Sequence, residues 1–393
     1  MSMPPLNVQQ DDLDRDPWLL NLSNGTLDLR SGELRPHDRS NFITKISPVE
    51  YDSEAVCPTW KSFLSKVLAG DDQLVQFMQT VVGYSLTGDT TEHVLFMLYG
   101  RGANGKSTLL ETLRRLLGDF SQQADFETFL RSKRDGARND LARMAGVRFV
   151  TASEAAEGRQ FDENLLKQIT GQDTIAARYL YGEFEEFRPQ CKIFLATNHR
   201  PRIGGTDHAI WRRIRLIPFE VTITDDERDS DLPAKLTTEL PGILNWAIEG
   251  CRKWQELGLA RADRIVGATS DYRSEEDLLA PFIEARCVVG KEFSVPAGQL
   301  YEVYRDWCSE NGDEPVKQNS FGRLLRERGL ESCRLDANTR GWRGIGVKAS
   351  GHNPKGRLVS RSEISTDGTP SRRKTTANVA SASMADGLTE LRA

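Results

Sequence analysis

The stretch that decides the fold spans residues 100–108 and combines three glycines with one lysine and two hydroxyl side chains. It reads Gly100-Arg101-Gly102-Ala103-Asn104-Gly105-Lys106-Ser107-Thr108. This spacing is typical of a phosphate loop, in which glycines let backbone N–H groups surround phosphate oxygens. Lys106 is expected to reach the β- and γ-phosphates, and the Ser107 hydroxyl to ligate Mg²⁺. The sequence therefore predicts ATP and Mg²⁺ as cofactors bound by this loop.

The residues on both sides of the phosphate loop fit a position between a strand and a helix. The apolar run Val94–Tyr99 enters the loop, and leucines at helical spacing leave it over residues 109–117 before Gly118. A helix N-terminus adds the positive end of its dipole to the phosphate site. Further β-rich runs, Val147–Ala152, Lys192–Ala196 and Arg215–Phe219, alternate with helical stretches. That alternation predicts an α/β fold with a P-loop NTPase core.

Polar side chains follow the second and third predicted strands. Glu154 comes after Val147–Ser153 and is the candidate carboxylate for Mg²⁺ or for the attacking water, with Glu157 as the second choice. Asn198 follows the next strand and is a candidate for orienting water or sensing the γ-phosphate. The plainer alternatives are a solvated glutamate and a turn asparagine.

Two adjacent arginines, Arg212 and Arg213, precede the last strand of this region. An arginine supplied across a subunit boundary offsets the charge that develops on a transferred phosphoryl group. The alternative is that both arginines form structural salt bridges with nearby acidic segments.

Composition excludes several classes of protein. The 52 basic and 57 acidic residues give a net charge of −5, so any nucleic-acid surface must be local. Six scattered cysteines and five isolated histidines argue against a zinc site and a disulfide framework, and fit a reducing cytoplasm. No apolar run approaches the roughly 18 residues of a membrane helix, and Met1–Pro5 lacks the basic and apolar blocks typical of a signal peptide. We therefore expect a cytoplasmic protein without membrane contact.

These motifs resemble the phage/plasmid primase-helicase family, whose ATPase module is a superfamily 3 helicase of the AAA+ class. The resemblance covers about residues 17–348. Besides the phosphate loop it rests on the following segments: Asn24–Leu29 with Tyr51-Asp52, Gly83–Gly88, Lys167–Asp173, and Ala177–Tyr181. It implies a bacterial host with a prophage or plasmid origin, and a ring, most simply a hexamer, around DNA.

The resemblance also assigns roles to residues. It implies that the segment after Lys167 forms a hairpin in the channel of the ring, where Arg178, Tyr179 and Tyr181 would hold single-stranded DNA by charge and stacking. The alternative is that these tyrosines belong to the core. Asn198 would be the sensor and Arg212 the trans-acting finger, with Arg213 next in line. Superfamily 3 members often carry two adjacent carboxylates where this chain has Ser153 and Glu154. It therefore stays open whether Glu154 binds Mg²⁺, activates water or does both.

Residues 281–348 are similar to the winged helix that follows the ATPase in this family. A helix over Lys317–Leu330 presents Arg323, Arg326 and Arg328 outward, and a hairpin over Glu331–Val347 carries further arginines. Such a basic helix and wing would meet fork or origin duplex DNA. Protein contacts are the alternative use of this unit.

The predicted organisation has six segments. They are a flexible N-terminus (1–16), a hairpin and helical collar-like region (17–90), the ATPase core (91–260), a linker (261–280), a winged-helix-like domain (281–348) and a disordered tail (349–393). Since no primase domain fits before residue 17, we expect no primase activity and a separate primase as partner.

The leading hypothesis is an ATP-dependent DNA helicase of phage or plasmid replication that hydrolyses ATP between subunits of a homo-oligomeric ring. The alternative is a DNA-binding initiator or regulator that does not unwind DNA and uses the phosphate loop as an assembly switch. A small-molecule kinase is a third option, although no acceptor-binding module is recognisable.

Overall fold

The computed structural model describes residues 12–131, 139–153, 158–178, 184–204 and 208–348. The tail 349–393 and most of the predicted flexible N-terminus lie outside these ranges. None of the described helices is both long and apolar enough to cross a membrane.

The N-terminal region begins with a three-stranded antiparallel sheet. Its strands are β1 (Leu19–Leu22), β2 (Gly25–Asp28) and β3 (Glu33–Arg35). The predicted hairpin is confirmed, and because Leu22 pairs with Gly25, its turn is Ser23-Asn24. Gly25 lies in β2, and its position requires glycine because a Cβ there would lie 2.6 Å from the Arg35 carbonyl oxygen. Asn24 instead exchanges two hydrogen bonds of 3.0 Å with the backbone of Tyr51.

Two helices follow, as the apolar spacing predicts for residues 58–86. They are α1 (Pro58–Val67), which starts with proline in its first turn, and α2 (Asp72–Leu86). The Asp71 carboxylate caps α2 by accepting from the Leu74 N–H at 3.1 Å. Both helices turn their apolar faces into one hydrophobic core that also covers a face of the central sheet.

The centre of the molecule is a five-stranded parallel sheet with the order β10-β4-β9-β6-β5. The elements of this central region, in chain order, are β4 (Leu95–Tyr99), α3 (Lys106–Leu117), β5 (Ser121–Gln123), α4 (Asn139–Ala142), β6 (Phe149–Ser153), α5 (Glu163–Thr170), β7 (Ile175–Arg178), β8 (Phe184–Phe187), β9 (Lys192–Thr197), α6 (His208–Trp211) and β10 (Ile214–Pro218). Among the described strands, β7 and β8 pair only with each other. The predicted α/β class is confirmed.

Strand β4 shows how the sheet is buried on both faces. Phe96 and Leu98 enter the core shared with α1 and α2, whereas Leu95 and Met97 enter a second core on the opposite face. A continuous apolar run is what a central parallel strand requires, because both of its faces are covered. The short edge strand β5 was not predicted, since Ser121–Gln123 has no apolar pattern.

Three helices complete this part of the chain: α7 (Leu232–Thr238), α8 (Leu240–Leu257) and α9 (Asp263–Glu275). The stretch 261–280, expected to be a linker, contains α9 and therefore departs from the expectation. The Thr269 hydroxyl accepts from the Leu216 N–H at 3.1 Å, and the buried Tyr272 donates its hydroxyl to the Pro201 carbonyl. Helix α9 is polar on its outer face, which gave it the composition of a linker.

The C-terminal unit has its own core and its own sheet. Its elements are α10 (Ala280–Arg286), β11 (Cys287–Pro296), α11 (Ala297–Asn311), α12 (Gln318–Glu327), β12 (Glu331–Arg334) and β13 (Arg340–Val347). The three strands form an antiparallel sheet in the order β11-β13-β12. The apolar residues Phe321, Leu324 and Leu325 of α12 are buried, and the predicted hairpin is formed by β12 and β13.

Candidate nucleotide site

The phosphate loop follows the carboxyl end of β4, and close contacts fix its glycines. A Cβ on Gly100 would lie 2.1 Å from the Phe219 carbonyl oxygen. Gly105 has a φ of +83°, and a Cβ there would lie 2.5 Å from a methyl group of Val67 on α1. The buried Asn104 side chain donates to the same Phe219 carbonyl at 3.1 Å. The loop is therefore held from two sides, by the end of β10 and by the N-terminal helices.

Lys106 is buried at the start of α3, with its amino group surrounded by neutral oxygen atoms. Its Nζ donates to the Gly100 carbonyl at 2.6 Å, to Asn104 Oδ1 at 3.1 Å and to Asn198 Oδ1 at 3.1 Å. Burial lowers the pKa of Lys106 to about 8. A buried ammonium group with no carboxylate partner among the described residues fits an anionic ligand, so these residues suit the phosphates of a nucleotide.

Asn198 lies just beyond the carboxyl end of β9, which pairs with β4. The contact with Lys106 Nζ joins two side chains separated by 92 positions in the chain. Both are site residues expected from the sequence, and the parallel sheet brings them to one edge. The sensing role of Asn198 stays a prediction.

The remaining loop residues face outward or hold the backbone. Arg101, Ala103 and Ser107 are exposed, and Thr108 and Gly102 are half-buried. The Ala103 carbonyl accepts from the Ile223 N–H at 2.7 Å. An exposed hydroxyl at the first turn of α3 is accessible to a hydrated metal ion, which suits the role expected of Ser107.

The candidate carboxylates Glu154 and Glu157 lie outside the described residues. The described part of β6 ends at Ser153, opposite Ala196 of β9, and so at the same sheet edge as the phosphate loop. Among the described residues, no three His, Cys, Asp or Glu side chains are grouped closely enough to hold a metal ion by themselves. The predicted role of Glu154 in binding Mg²⁺ or activating water stays open.

The two candidate finger arginines differ in their surroundings. Arg213 is buried, and its guanidinium donates to the Thr170 hydroxyl at 3.0 Å and to the Ala209 carbonyl at 2.7 Å. Arg212 is exposed at the amino end of β10. The geometry thus gives Arg213 a structural role and leaves Arg212 as the accessible member of the pair.

Arg212 lies at the sheet edge opposite the phosphate loop. Strand β10 pairs in parallel with β4, with Ile214 beside Leu95 and Pro218 beside Tyr99. Five residues of parallel strand span about 16 Å at 3.3 Å per residue. Arg212 and the phosphate loop of the same copy are therefore separated by the length of the sheet.

A cavity of about 440 Å³ opens beside Arg212 and was not expected from the sequence. Its charged lining consists of four arginines and one glutamate: Arg212, Arg215, Arg261, Arg273 and Glu92. We call it the arginine cavity. No sequence motif indicates it, because its arginines come from separate elements and meet only when α9 packs against β10.

The predicted channel hairpin is present as β7 and β8, which pair from Ile175 with Phe187 to Arg178 with Phe184. Ile175 and Ala177 are buried, whereas Arg178 is exposed at the end of β7. Tyr179 and Tyr181 lie outside the described residues, so their predicted DNA contacts stay predictions.

The C-terminal arginines are mostly exposed. Arg323 forms an ion pair with Glu327 at 3.7 Å, and Arg326 donates to the Gly322 carbonyl at 3.3 Å. Arg328 departs from the expectation of an outward position, because it is only 20 % exposed and pairs with Asp277. On the hairpin, Arg334 stands directly opposite Arg340, and both side chains are exposed.

Three family models match parts of the chain. A model described as D5 N terminal like matches residues 1–69, a family of unknown function (DUF5906) matches residues 98–213, and a model described as Poxvirus D5 protein-like matches residues 274–331. The middle match contains the phosphate loop, Asn198 and Arg212.

Several curated viral proteins are similar over most of the chain. One named "Putative helicase" from Acanthamoeba polyphaga mimivirus is 30 % identical over 326 residues, covering 76 % of this chain and 34 % of that protein. Another of that name from Frog virus 3 is 25 % identical, covering 87 % of this chain and 35 % of that protein. One named "Putative primase" from African swine fever virus is 24 % identical, covering 76 % of this chain and 34 % of that protein.

This chain thus spans about a third of the length of these relatives. Among solved structures, the apo C-terminal region of NrS-1 aligns with a TM-score of 0.46 at 12 % identity, over 76 % of this chain and 78 % of that one. The relatives named here come from viruses, and the expected bacterial prophage or plasmid origin has no support among them. At both ends and along most of its length, the chain is thus similar to proteins of large DNA viruses that are named putative helicases and primases.

Proposed function

We propose that this chain is an ATP-dependent DNA helicase module of viral DNA replication, which hydrolyses ATP between neighbouring copies of a ring. The names of the viral relatives support an enzyme that acts on DNA. The observation that carries the ATP-dependent part is the buried amino group of Lys106, held at 2.6–3.1 Å by three neutral oxygens of the phosphate loop and Asn198.

The proposed chemistry begins with phosphate replacing neutral oxygens around Lys106. The Lys106 ammonium and the N–H groups at the start of α3 bind the β- and γ-phosphates. Asn198 Oδ1 then loses its lysine partner and becomes free to orient the attacking water. Ser107 and Glu154 are the proposed Mg²⁺ ligands, and the metal supplies neutralisation of charge on the phosphates when bound.

Arg212 is proposed to act on the ATP of the adjacent copy. It is exposed, and about 16 Å of strand separates its edge of the sheet from its own phosphate loop. In a ring, the amino ends of the strands of one copy can face the carboxyl ends of the strands of the next copy. This arrangement brings Arg212 to a neighbouring phosphate loop. Oligomerisation is therefore a condition of hydrolysis in this proposal.

Two surfaces are proposed to bind DNA. The first is the hairpin of β7 and β8, where exposed Arg178 is followed by Tyr179 and Tyr181. The second is the C-terminal unit, which we propose acts as a winged helix, with Arg323 and Arg326 on α12. Like charges directly opposite each other destabilise a hairpin, so the exposed pair Arg334 and Arg340 favours an anionic partner.

The test is DNA-stimulated ATP hydrolysis by purified variants. Lys106→Ala is expected to abolish turnover, and Arg212→Ala to retain nucleotide binding while losing about 10³-fold in rate. Arg252→Ala, at an exposed position on α8, is the matched control and should hydrolyse ATP at the wild-type rate. Near-normal hydrolysis by Arg212→Ala would remove the finger assignment.

Strand displacement on a forked duplex separates the helicase from the alternatives. Strand displacement by the wild type that is lost in Lys106→Ala supports the helicase. DNA binding and ATP hydrolysis without displacement would instead indicate an initiator or regulator that uses the phosphate loop as an assembly switch. ATP hydrolysis that DNA stimulates would exclude a small-molecule kinase.

A further inference from the structure

The arginine cavity carries a surplus of positive charge that the residues described by the structure do not neutralise. Glu92 is its only acidic lining residue. Arg261 pairs with Asp263 at 3.1 Å, and Arg215 donates to the backbone carbonyl groups of Arg212 and Ile214. Within the described ranges, neither Arg212 nor Arg273 has a carboxylate within ion-pair distance. Two exposed guanidinium groups beside a cavity of about 440 Å³ are thus available to an anionic partner.

An exposed acidic segment lies at the other edge of the sheet. Residues 224–231 contain five carboxylates: Asp225, Asp226, Glu227, Asp229 and Asp231. Glu227 pairs with Lys66 at 3.5 Å and Asp229 with Lys235 at 2.6 Å, which leaves three carboxylates without an ion pair to any described residue. The Ile223 N–H donates to the Ala103 carbonyl at 2.7 Å, so the acidic segment adjoins the phosphate loop.

We propose that the acidic segment (residues 224–231) of one copy docks on the arginine cavity of the next copy. This inference rests on the proposed function, because Arg212 reaches a neighbouring phosphate loop only when opposite sheet edges meet. That arrangement places the acidic segment, which adjoins the phosphate loop, against the arginines that adjoin Arg212. The interface is heterologous: each copy contributes a different surface to each of its two neighbours. Charge complementarity then fixes the register of the two copies.

Charge reversal tests this pairing without relying on ATP hydrolysis. One variant carries Arg261→Glu and Arg273→Glu, and the other carries Asp225→Arg and Asp226→Arg. Alone, each variant presents like charges across the interface, and we expect its dissociation constant for self-association to rise at least about tenfold. When the two variants are mixed in equal amounts, the reversed cavity of one variant faces the reversed segment of the other. The two native surfaces then also face each other. We expect the mixture to recover the wild-type constant to within about threefold.

The measurement is sedimentation velocity of the full chain with a slowly hydrolysed ATP analogue and no DNA. Arg252→Glu on α8 is the control for a change in net charge and should assemble as the wild type does. Wild-type assembly that neither double variant weakens, or a mixture that does not recover, overturns the docking proposal and leaves interfacial hydrolysis standing. A wild-type chain that stays monomeric at all concentrations overturns both.

Discussion

At the residue scale, the surroundings of Lys106 would make the proposed binding of ATP sensitive to pH. Among the described residues, only carbonyl and amide oxygens contact the ammonium, so no described negative charge offsets its burial, and burial lowers the pKa of Lys106 to about 8. Phosphates close to Nζ favour the charged form and raise this pKa. Below pH 8 the amine is protonated with or without ligand, and above pH 8 only the bound state retains the proton.

We therefore expect ATP binding to take up a proton above pH 8 and to weaken as pH rises further. Isothermal titration calorimetry at pH 8.5 in two buffers of different ionisation enthalpy measures this uptake. Lys106→Met is the control, in which residual binding should show no uptake from this position. Equal apparent enthalpies in both buffers for the wild type would contradict the expectation.

At the element scale, two buried cations fasten the N-terminal region to the amino ends of the central strands. Arg148, just before β6, donates to the carbonyl groups of Leu86 at 2.6 Å and Leu19 at 2.8 Å. Lys192, the first residue of β9, donates to Thr87, Asp89 and Gln190 carbonyl groups. Both side chains are buried, and burial lowers the pKa of Lys192 to about 7.

Lys192 gives the stability of the fold a pH dependence. In the unfolded chain its pKa is near 10.5, so between about pH 7 and pH 10 the unfolded state binds one proton more than the native state. The free energy of unfolding should therefore rise with pH in this window, by about 1 kcal/mol per pH unit. Urea unfolding at several pH values measures the slope. Lys192→Met should remove it, whereas Lys61→Met, at an exposed position on α1, should leave it unchanged.

The crossing of α2 and α8 depends on two glycines. A Cβ on Gly83 would lie 2.1 Å from the Cys251 backbone nitrogen, and one on Gly250 would lie 2.0 Å from the Gln79 carbonyl oxygen. Each helix thus presents a glycine to the backbone of the other.

Gly83→Ala is expected to lower the free energy of unfolding by about 3 kcal/mol, because backbone atoms of α8 must move. The matched control is Gly267→Ala in α9, where no heavy atom lies within 4 Å of the added Cβ. There alanine should stabilise by about 0.5–1 kcal/mol through helix propensity. Denaturant unfolding of both variants decides the matter, and equal effects would argue against the close crossing.

At the scale of the whole molecule, the C-terminal hairpin is expected to contribute to DNA affinity. Arg334 and Arg340 are exposed and opposite each other, and such a pair suits two phosphates. Replacing both by alanine should reduce the slope of log affinity against log salt by about 2, independently of DNA sequence. Fluorescence anisotropy with labelled duplex over a salt series measures this slope. An unchanged slope would assign the hairpin to protein contacts.

The sequence was informative wherever a local rule decides the outcome. The apolar run before Gly100 and the leucine spacing after Lys106 predicted β4 and α3, and the amide after the third strand predicted the position of Asn198. The arginine cavity was not predictable, because it depends on the packing of α9 against β10 across about fifty residues of chain. The same limit applies to the choice between Arg212 and Arg213, which differ only in burial.

The fastening of the N-terminal region by Arg148 and Lys192 bears on how this protein can be cut into fragments. Removing residues 1–90 would take away the carbonyl groups of Leu19, Leu86, Thr87 and Asp89, which accept hydrogen bonds from the two buried basic side chains. Arg148 and Lys192 would then lie beside newly exposed apolar surface. It would also take away the α1 wall that lies against Gly105. The smallest fragment that folds around the phosphate loop is therefore expected to begin ahead of β1, upstream of the boundary that the loop motif alone would suggest.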